Sequence, residues 1–282
     1  MIPPSTSDNG IPPEGERPDE DRRWDQPTSF LDTLRGAFSH SIHGEAWGRL
    51  LRLPNFLTIP GDLLAGYLLA PVNASGQAVR LLIAIPTGLL LYAAGLILND
   101  VFDYAQDLRE RPSRPLPSGA IHRETAGATA LVLLWMAAFL SASFDALSVG
   151  IPLILCIVFY DAGGKKIPVL GPILMGACRS GNLLLGAAAA AGTAGILTPA
   201  PLAAALLLGL YIAVVTHLAR QEARPNATFK PEHIGKLLQM LIPLQALFCL
   251  GAIHRFPANL LGLLLLPLLA LHRRLSSRFP PS

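Results

Sequence analysis

The chain has 282 residues, of which 51% are hydrophobic and only 15% charged, with a mean hydropathy of +0.46. That balance is too apolar for an ordinary soluble domain, and the apolar residues fall in blocks about as long as a bilayer-spanning helix. The net charge of +3 is small, so no nucleic-acid partner is expected. Cys156, Cys178 and Cys249 all lie inside apolar blocks, away from any Cys-x-x-Cys or Cys/His pattern, and read as small core residues rather than disulfide or zinc ligands.

Residues 1 to 26 are rich in Pro, Asp, Glu and Arg, a composition expected to be disordered, and they lack the apolar core of a signal peptide. From Phe30 to Arg49 the apolar residues Phe30, Leu34, Phe38 and Ile42 recur every four positions, the pattern of an interfacial amphipathic helix. Residues 1–48 are therefore expected to form a cytoplasmic N-terminal segment, and 49–282 a membrane domain. Window length places spans at about 55–69, 79–98, 125–142, 147–160, 169–191, 201–218, 237–253 and 259–271. Several are short or carry Pro and Gly, which suits an all-α bundle of about eight to nine helices around a central cavity.

Loop charge orients these spans. Arg109, Arg111, Arg114, Arg123, Lys165, Lys166, Arg220, Arg224 and Lys230 fall in the connections after the second, fourth and sixth spans. The opposite connections carry only Arg80 and Arg255. The positive-inside bias then puts both termini and all three polar connections in the cytoplasm. A weak repeat accompanies this: an acidic cluster closes the second span and a polar run, His217 to Pro225, closes the sixth, as in two pseudo-repeated four-helix halves sharing one mouth.

The run Asn99-Asp100-Val-Phe-Asp103-Tyr-Ala-Gln-Asp107 carries the chemistry. On a helix, spacings of three and four put its three carboxylates on one face. Acid gathered at a membrane boundary calls for cationic partners, and hard divalent cations such as Mg²⁺ bridge carboxylates to substrate phosphates. A membrane enzyme acting on a phosphorylated lipid is the reading this pattern supports.

With Arg114-Pro-Leu-Pro-Ser-Gly119 downstream, the run resembles the first signature of the UbiA superfamily of intramembrane prenyltransferases, and Leu53-Pro54-Asn55 resembles that family's opening motif. The resemblance covers the chain from about Arg52 onward. It implies a bundle, typically of nine spans, that moves a prenyl group from an isoprenoid diphosphate to a lipophilic, often aromatic, acceptor. Carried over by motif, Asn99, Asp100, Asp103 and Asp107 would hold Mg²⁺ and the diphosphate, and Arg114 and Lys165 would meet the phosphates. The family's second Asp-rich motif is not matched: here Thr216-His-Leu-Ala-Arg220-Gln-Glu222 supplies a single carboxylate. Arg220 is expected to supply fixed positive charge in its place. Met175-Gly-Ala-Cys178-Arg179-Ser-Gly-Asn182 and Ala219 to Glu222 are similar to a subgroup labelled EboC-like.

Arg179 lies well inside a span, where a charge is costly and is either paired or turned to a cavity; Asp62 is a conceivable partner and Asn182 shares its face. Asn55, Tyr160 and Asp161 stand at span ends near the expected mouth and complete the candidate substrate-binding set with Arg179, Asn182, Arg220 and Glu222. Two other functions fit the same features: an isoprenoid-lipid carrier without turnover, and an isoprenoid diphosphate hydrolase or cyclase.

Overall fold

The computed structural model describes residues 42–71, 77–222 and 231–278, with side chains over 44–71, 78–221 and 233–275, all within one unit, His40–Ser282. The expected disordered segment, most of the amphipathic helix including Phe30, Leu34 and Phe38, and Arg224 and Lys230 lie outside these residues. Every regular element described is helical. In chain order these are α1 (Ile42–Leu50), α2 (Leu53–Phe56), α3 (Ile59–Leu69), α4 (Gln77–Glu110), α5 (Arg123–Ser143), α6 (Leu147–Ala162), α7 (Leu170–Ile196), α8 (Pro199–Glu222), α9 (Pro231–Gln239), α10 (Leu241–Gly251) and α11 (Leu266–Arg278). Short 3₁₀ turns occupy Gly164–Lys166, Ile253–Arg255 and Ala258–Leu265.

Six helical stretches among the described residues are long and apolar enough to cross a bilayer: 78–110, 123–143, 170–196, 199–221, 233–251 and 258–275. The shorter α6 and α3 fill the remaining two segments expected from the sequence. Outward faces are apolar in turn: Leu131, Trp135 and Phe139 on α5 and Leu206 and Leu210 on α8 are exposed, as lipid contact requires. The chain is a multi-pass membrane protein.

Two boundaries differ from the apolar pattern. The segment 55–69 is broken between α2 and α3, where Pro54 and Pro60 each sit in a first helical turn and so start two helices instead of continuing one. In the other direction, α4 runs twelve residues past the apolar block ending at Leu98, because its polar tail has no helix breaker before Arg111-Pro112.

Helix α7 is the centre of the bundle and packs on α3, α4, α6 and α8. Against α3 it comes to backbone contact. A Cβ on Gly66 would strike the Leu183 carbonyl, and one on Gly186 would strike that of Leu63, so only glycine fits at either place. One core joins Leu63, Leu91, Ile97, Leu153, Ile157 and Leu185, and Ala46 and Leu50 of α1 pack on it. A second, of Leu68, Leu183, Leu208 and Ile242, ties α8 and α10 to the same centre.

Candidate active site

The polar tail of α4 projects Asn99, Asp100, Asp103 and Asp107 along one face, as their spacing predicts. Each carboxylate meets a cation delivered by a different piece of chain. Arg114 comes from the turn after α4: Pro112 ends the helix, and the backbone bonds Arg114 N–H to Arg111 carbonyl (3.1 Å) and Ser118 N–H to Arg114 carbonyl (2.9 Å) fold the chain back. Its Nη1 then lies 2.7 Å from Asp107 Oδ2 and 3.7 Å from Asp100 Oδ1. Lys165 comes from the α6–α7 connection. Its Nζ is 2.8 Å from Asp103 Oδ2 and 3.9 Å from Asp161 Oδ1, and it donates to Asn99 Oδ1 at 3.0 Å.

The third cation, Arg52, was not anticipated as a site residue. It takes a left-handed backbone conformation (φ 47°) between α1 and α2 and donates to Asp100 Oδ1 at 3.3 Å. That conformation costs a non-glycine residue roughly 1–2 kcal/mol. The only hint in the sequence was its place before the Leu53-Pro54-Asn55 motif.

Below this cluster opens a cavity with about 730 Å³ of empty space, part of it open to the outside. Arg52, Asn99, Tyr160 and Asp161 line its polar end, and Leu91, Leu96, Leu153, Ile157 and Met175 its apolar body. Tyr92, Gly88 and Gly95 also line it and escaped the sequence reading, since each is an ordinary span residue until α4 is set against α6 and α7. Asn55 sits just outside, its side chain reaching Tyr92.

Arg179 and Asn182 both face the cavity and both rest on Asp62, which is fully buried. Arg179 Nε stands 3.0 Å from Asp62 Oδ2, and its Nη2 donates to Asp62 Oδ1 and to the Thr58 carbonyl, each at 3.2 Å. Asn182 donates to Asp62 Oδ2 at 3.2 Å, and Gln245 of α10 to Oδ1 at 2.6 Å. The pairing conceivable from sequence is present, with Gln245 and Thr58 as additional members.

Arg220 does not line the cavity. Its guanidinium, at the end of α8, donates to the carbonyls of Ile167 (3.1 Å) and Pro168 (3.2 Å) and to that of Lys165. The cation expected to meet phosphate therefore holds the connection that carries Lys165. The Glu222 side chain lies outside the described residues.

The carboxylates and the Asn99 amide are hard oxygen donors of the kind Mg²⁺ selects. Among the described residues, no three His, Cys, Asp or Glu side chains converge into a ready-made metal cage. A cation shared with substrate phosphates needs none, because one or two carboxylates then suffice.

The sequence profile of the UbiA prenyltransferase family matches residues 63–278. The digeranylgeranylglyceryl phosphate synthase of Methanoregula boonei is 36% identical over 149 residues, 52% of this chain and 52% of that protein. The synthase of the same name from Methanoculleus marisnigri is 30% identical over 165 residues, 58% of each. The chain thus spans about half the length of the curated relatives it matches. A solved UbiA homolog from Archaeoglobus fulgidus, bound to DMAPP and Mg²⁺, superimposes with a TM-score of 0.53 at 17% identity, over 83% of this chain and 88% of that one. At that identity the likeness is one of fold.

Proposed function

The chain belongs to the UbiA prenyltransferase family, and from that premise we propose that it transfers an isoprenoid group from its diphosphate to a lipophilic acceptor inside the membrane, with Mg²⁺ as cofactor. The observation that carries this reading is the meeting of Asp100, Asp103 and Asp107 with Arg52, Arg114 and Lys165 at the polar end of a partly open, largely apolar cavity. Relatives named digeranylgeranylglyceryl phosphate synthase, and a fold neighbour bound to DMAPP and Mg²⁺, support it.

In this reading Asn99, Asp100, Asp103 and Asp107 hold the metal and diphosphate. The metal supplies positive charge where the leaving diphosphate gathers negative charge. Arg114 and Lys165 exchange their carboxylate partners for phosphate oxygens, stabilising the same developing charge from fixed positions. The aliphatic lining of the cavity receives the isoprenoid tail and keeps water from the allylic carbon as its bond to oxygen breaks. Tyr160 and Asp161 border the reacting end. Residues 49–282 constitute the transferase domain, and 1–48 a separate N-terminal segment. The mouth and both termini face the cytoplasm in this reading, which the positive-inside bias of the basic connections supports.

The test is diphosphate release by the purified, detergent-solubilised protein offered isoprenoid diphosphates of several lengths, with Mg²⁺ and with or without lipid extract. Mg²⁺-dependent release, lost in Asp100→Asn/Asp103→Asn and accompanied by labelled lipid, is expected. Binding without release marks a carrier, and release with only a prenyl alcohol or hydrocarbon marks a hydrolase or cyclase; either result overturns the transferase reading.

A further inference from the structure

Of the three cysteines, only Cys249 is the buried core residue that the sequence suggested; Cys156 and Cys178 are half-buried and stand together. They lie on α6 and α7, which pack side by side, and their Sγ atoms are 3.6 Å apart. The contact holds neither sulfur firmly. The Cys178 thiol donates to Cys156 Sγ and the Cys156 thiol to the Leu174 carbonyl at 3.7 Å, and a thiol is a weak donor. The sulfurs of a disulfide stand about 2.05 Å apart. Rotation about the two Cα–Cβ bonds spans the difference.

The surroundings select what can oxidise this pair. Cys178 lines the central cavity between Met175 and Arg179, with Leu153 and Ile157 on the facing helix. Cys156 lies six residues before the end of α6 and Cys178 eight after the start of α7, so the pair sits roughly 9–12 Å below the mouth. A charged, hydrated oxidant would have to shed its water to get there, whereas an uncharged lipophilic one would not. A quinone meets both requirements: it dissolves in apolar surroundings and takes two electrons with two protons.

The pair is also placed to affect the diphosphate end. A bridge would close residues 157–177 into a ring carrying Tyr160, Asp161 and Lys165. Lys165 Nζ rests 2.8 Å from Asp103 Oδ2 and must leave it to meet a phosphate, which moves the connection between α6 and α7. Tying those helices together just beneath the connection restricts that movement.

We propose that Cys156 and Cys178 are a redox-active dithiol, oxidised through the cavity by a lipid-soluble quinone, and that the bridge slows the diphosphate site. The second half rests on the transferase reading above; the first does not. In the step, both S–H bonds break and one S–S bond forms. The two protons and two electrons pass to the quinone, which leaves as the hydroquinone. A small dithiol reverses the bridge by exchange.

The full chain, solubilised, reduced and freed of reductant without oxygen, is incubated with duroquinone or with oxidised glutathione. Duroquinone carries a methyl group at every ring position and so does not displace a ring hydrogen to alkylate a thiol. After acid quenching and denaturation, maleimide labelling and intact mass count the remaining thiols. Of the three thiols, only Cys249 is expected to remain after duroquinone, with residues 156 and 178 joined in the peptide map, whereas oxidised glutathione leaves all three. Cys156→Ala is expected to keep both of its thiols under either oxidant. Diphosphate release by the bridged protein, cleared of quinone, should fall several-fold and return with dithiothreitol, while release by Cys156→Ala ignores the treatment. No bridge with duroquinone, an equal bridge with oxidised glutathione, or a bridge that leaves release unaltered overturns the proposal. The reduced protein is the separate check: if it releases no diphosphate, the transferase reading falls while a quinone-formed bridge still establishes the dithiol site.

Discussion

Asp62 is the residue whose replacement the structure prices most directly. Both its oxygens are committed: Oδ1 to Gln245 at 2.6 Å and Arg179 at 3.2 Å, Oδ2 to Asn182 at 3.2 Å with Arg179 Nε at 3.0 Å. Asp62→Asn keeps the shape but puts an N–H among groups that are all donors, and it leaves the Arg179 charge buried without its counter-ion. Removing one partner of a buried pair costs about 3–5 kcal/mol. Arg179→Met strands Asp62 in the same way, at a similar cost. With both changes no charge remains, and the loss is confined to the hydrogen bonds of Gln245 and Asn182, about 1 kcal/mol each. The double variant is therefore expected to be more stable than either single one, with a coupling of at least about 3 kcal/mol. Unfolding of the solubilised protein in rising mole fractions of sodium dodecyl sulfate, followed by tryptophan fluorescence, measures all four corners of the cycle. Losses that simply add would refute the claim that Asp62 and Arg179 act as one neutral unit.

Arg220→Ala releases the carbonyls of Lys165, Ile167 and Pro168. The KM for the isoprenoid diphosphate should rise about tenfold in steady-state release assays, with added guanidinium ion restoring part of the loss. Gly186→Ala forces a methyl group against the Leu63 carbonyl and should lower stability by about 1–3 kcal/mol or more, since backbone cannot step aside as a side chain does. Gly127→Ala, with nothing within 4 Å of the new methyl, should be neutral or slightly stabilising in the same unfolding assay. Gly95→Val narrows the cavity where Ile157 Cγ2 already lies 3.2 Å from an added Cβ. A release assay across donor lengths should then show preference moving to shorter isoprenoids.

The helical bundle was legible because apolar blocks of bilayer length leave few alternatives, and the acidic run was legible because period and residue type agree over nine positions. Lys165, Arg114 and Asp161 were found for a related reason: charges at the ends of apolar segments stand out. Tyr92, Gly88 and Gly95 were not found, since a residue facing a cavity and one facing lipid look alike within an apolar span. Gln245 escaped because its importance depends on α10 crossing α3, a contact between residues 183 apart in sequence. Arg220 was expected at the phosphates, but the atoms it holds are backbone carbonyls, which carry no sequence signal. The break between α2 and α3 was written in Pro54 and Pro60, and window averaging hid it.

The glycine seam between α3 and α7 divides the cavity into a fixed side and a variable one. Where two backbones touch, at Gly66 against Leu183 and Gly186 against Leu63, hardly any substitution survives, and the anchoring of Asp62 to Arg179 is built on that immobile face. The opposite face is made of side chains from α4 and α6, such as Leu91, Leu153 and Ile157, which change size without disturbing the seam. Inheritance can therefore alter the tail length the pocket accepts while the scaffold's assembly is left alone. Differences in substrate among proteins of this architecture should concentrate on α4 and α6, and laboratory selection for a new substrate has its shortest route there.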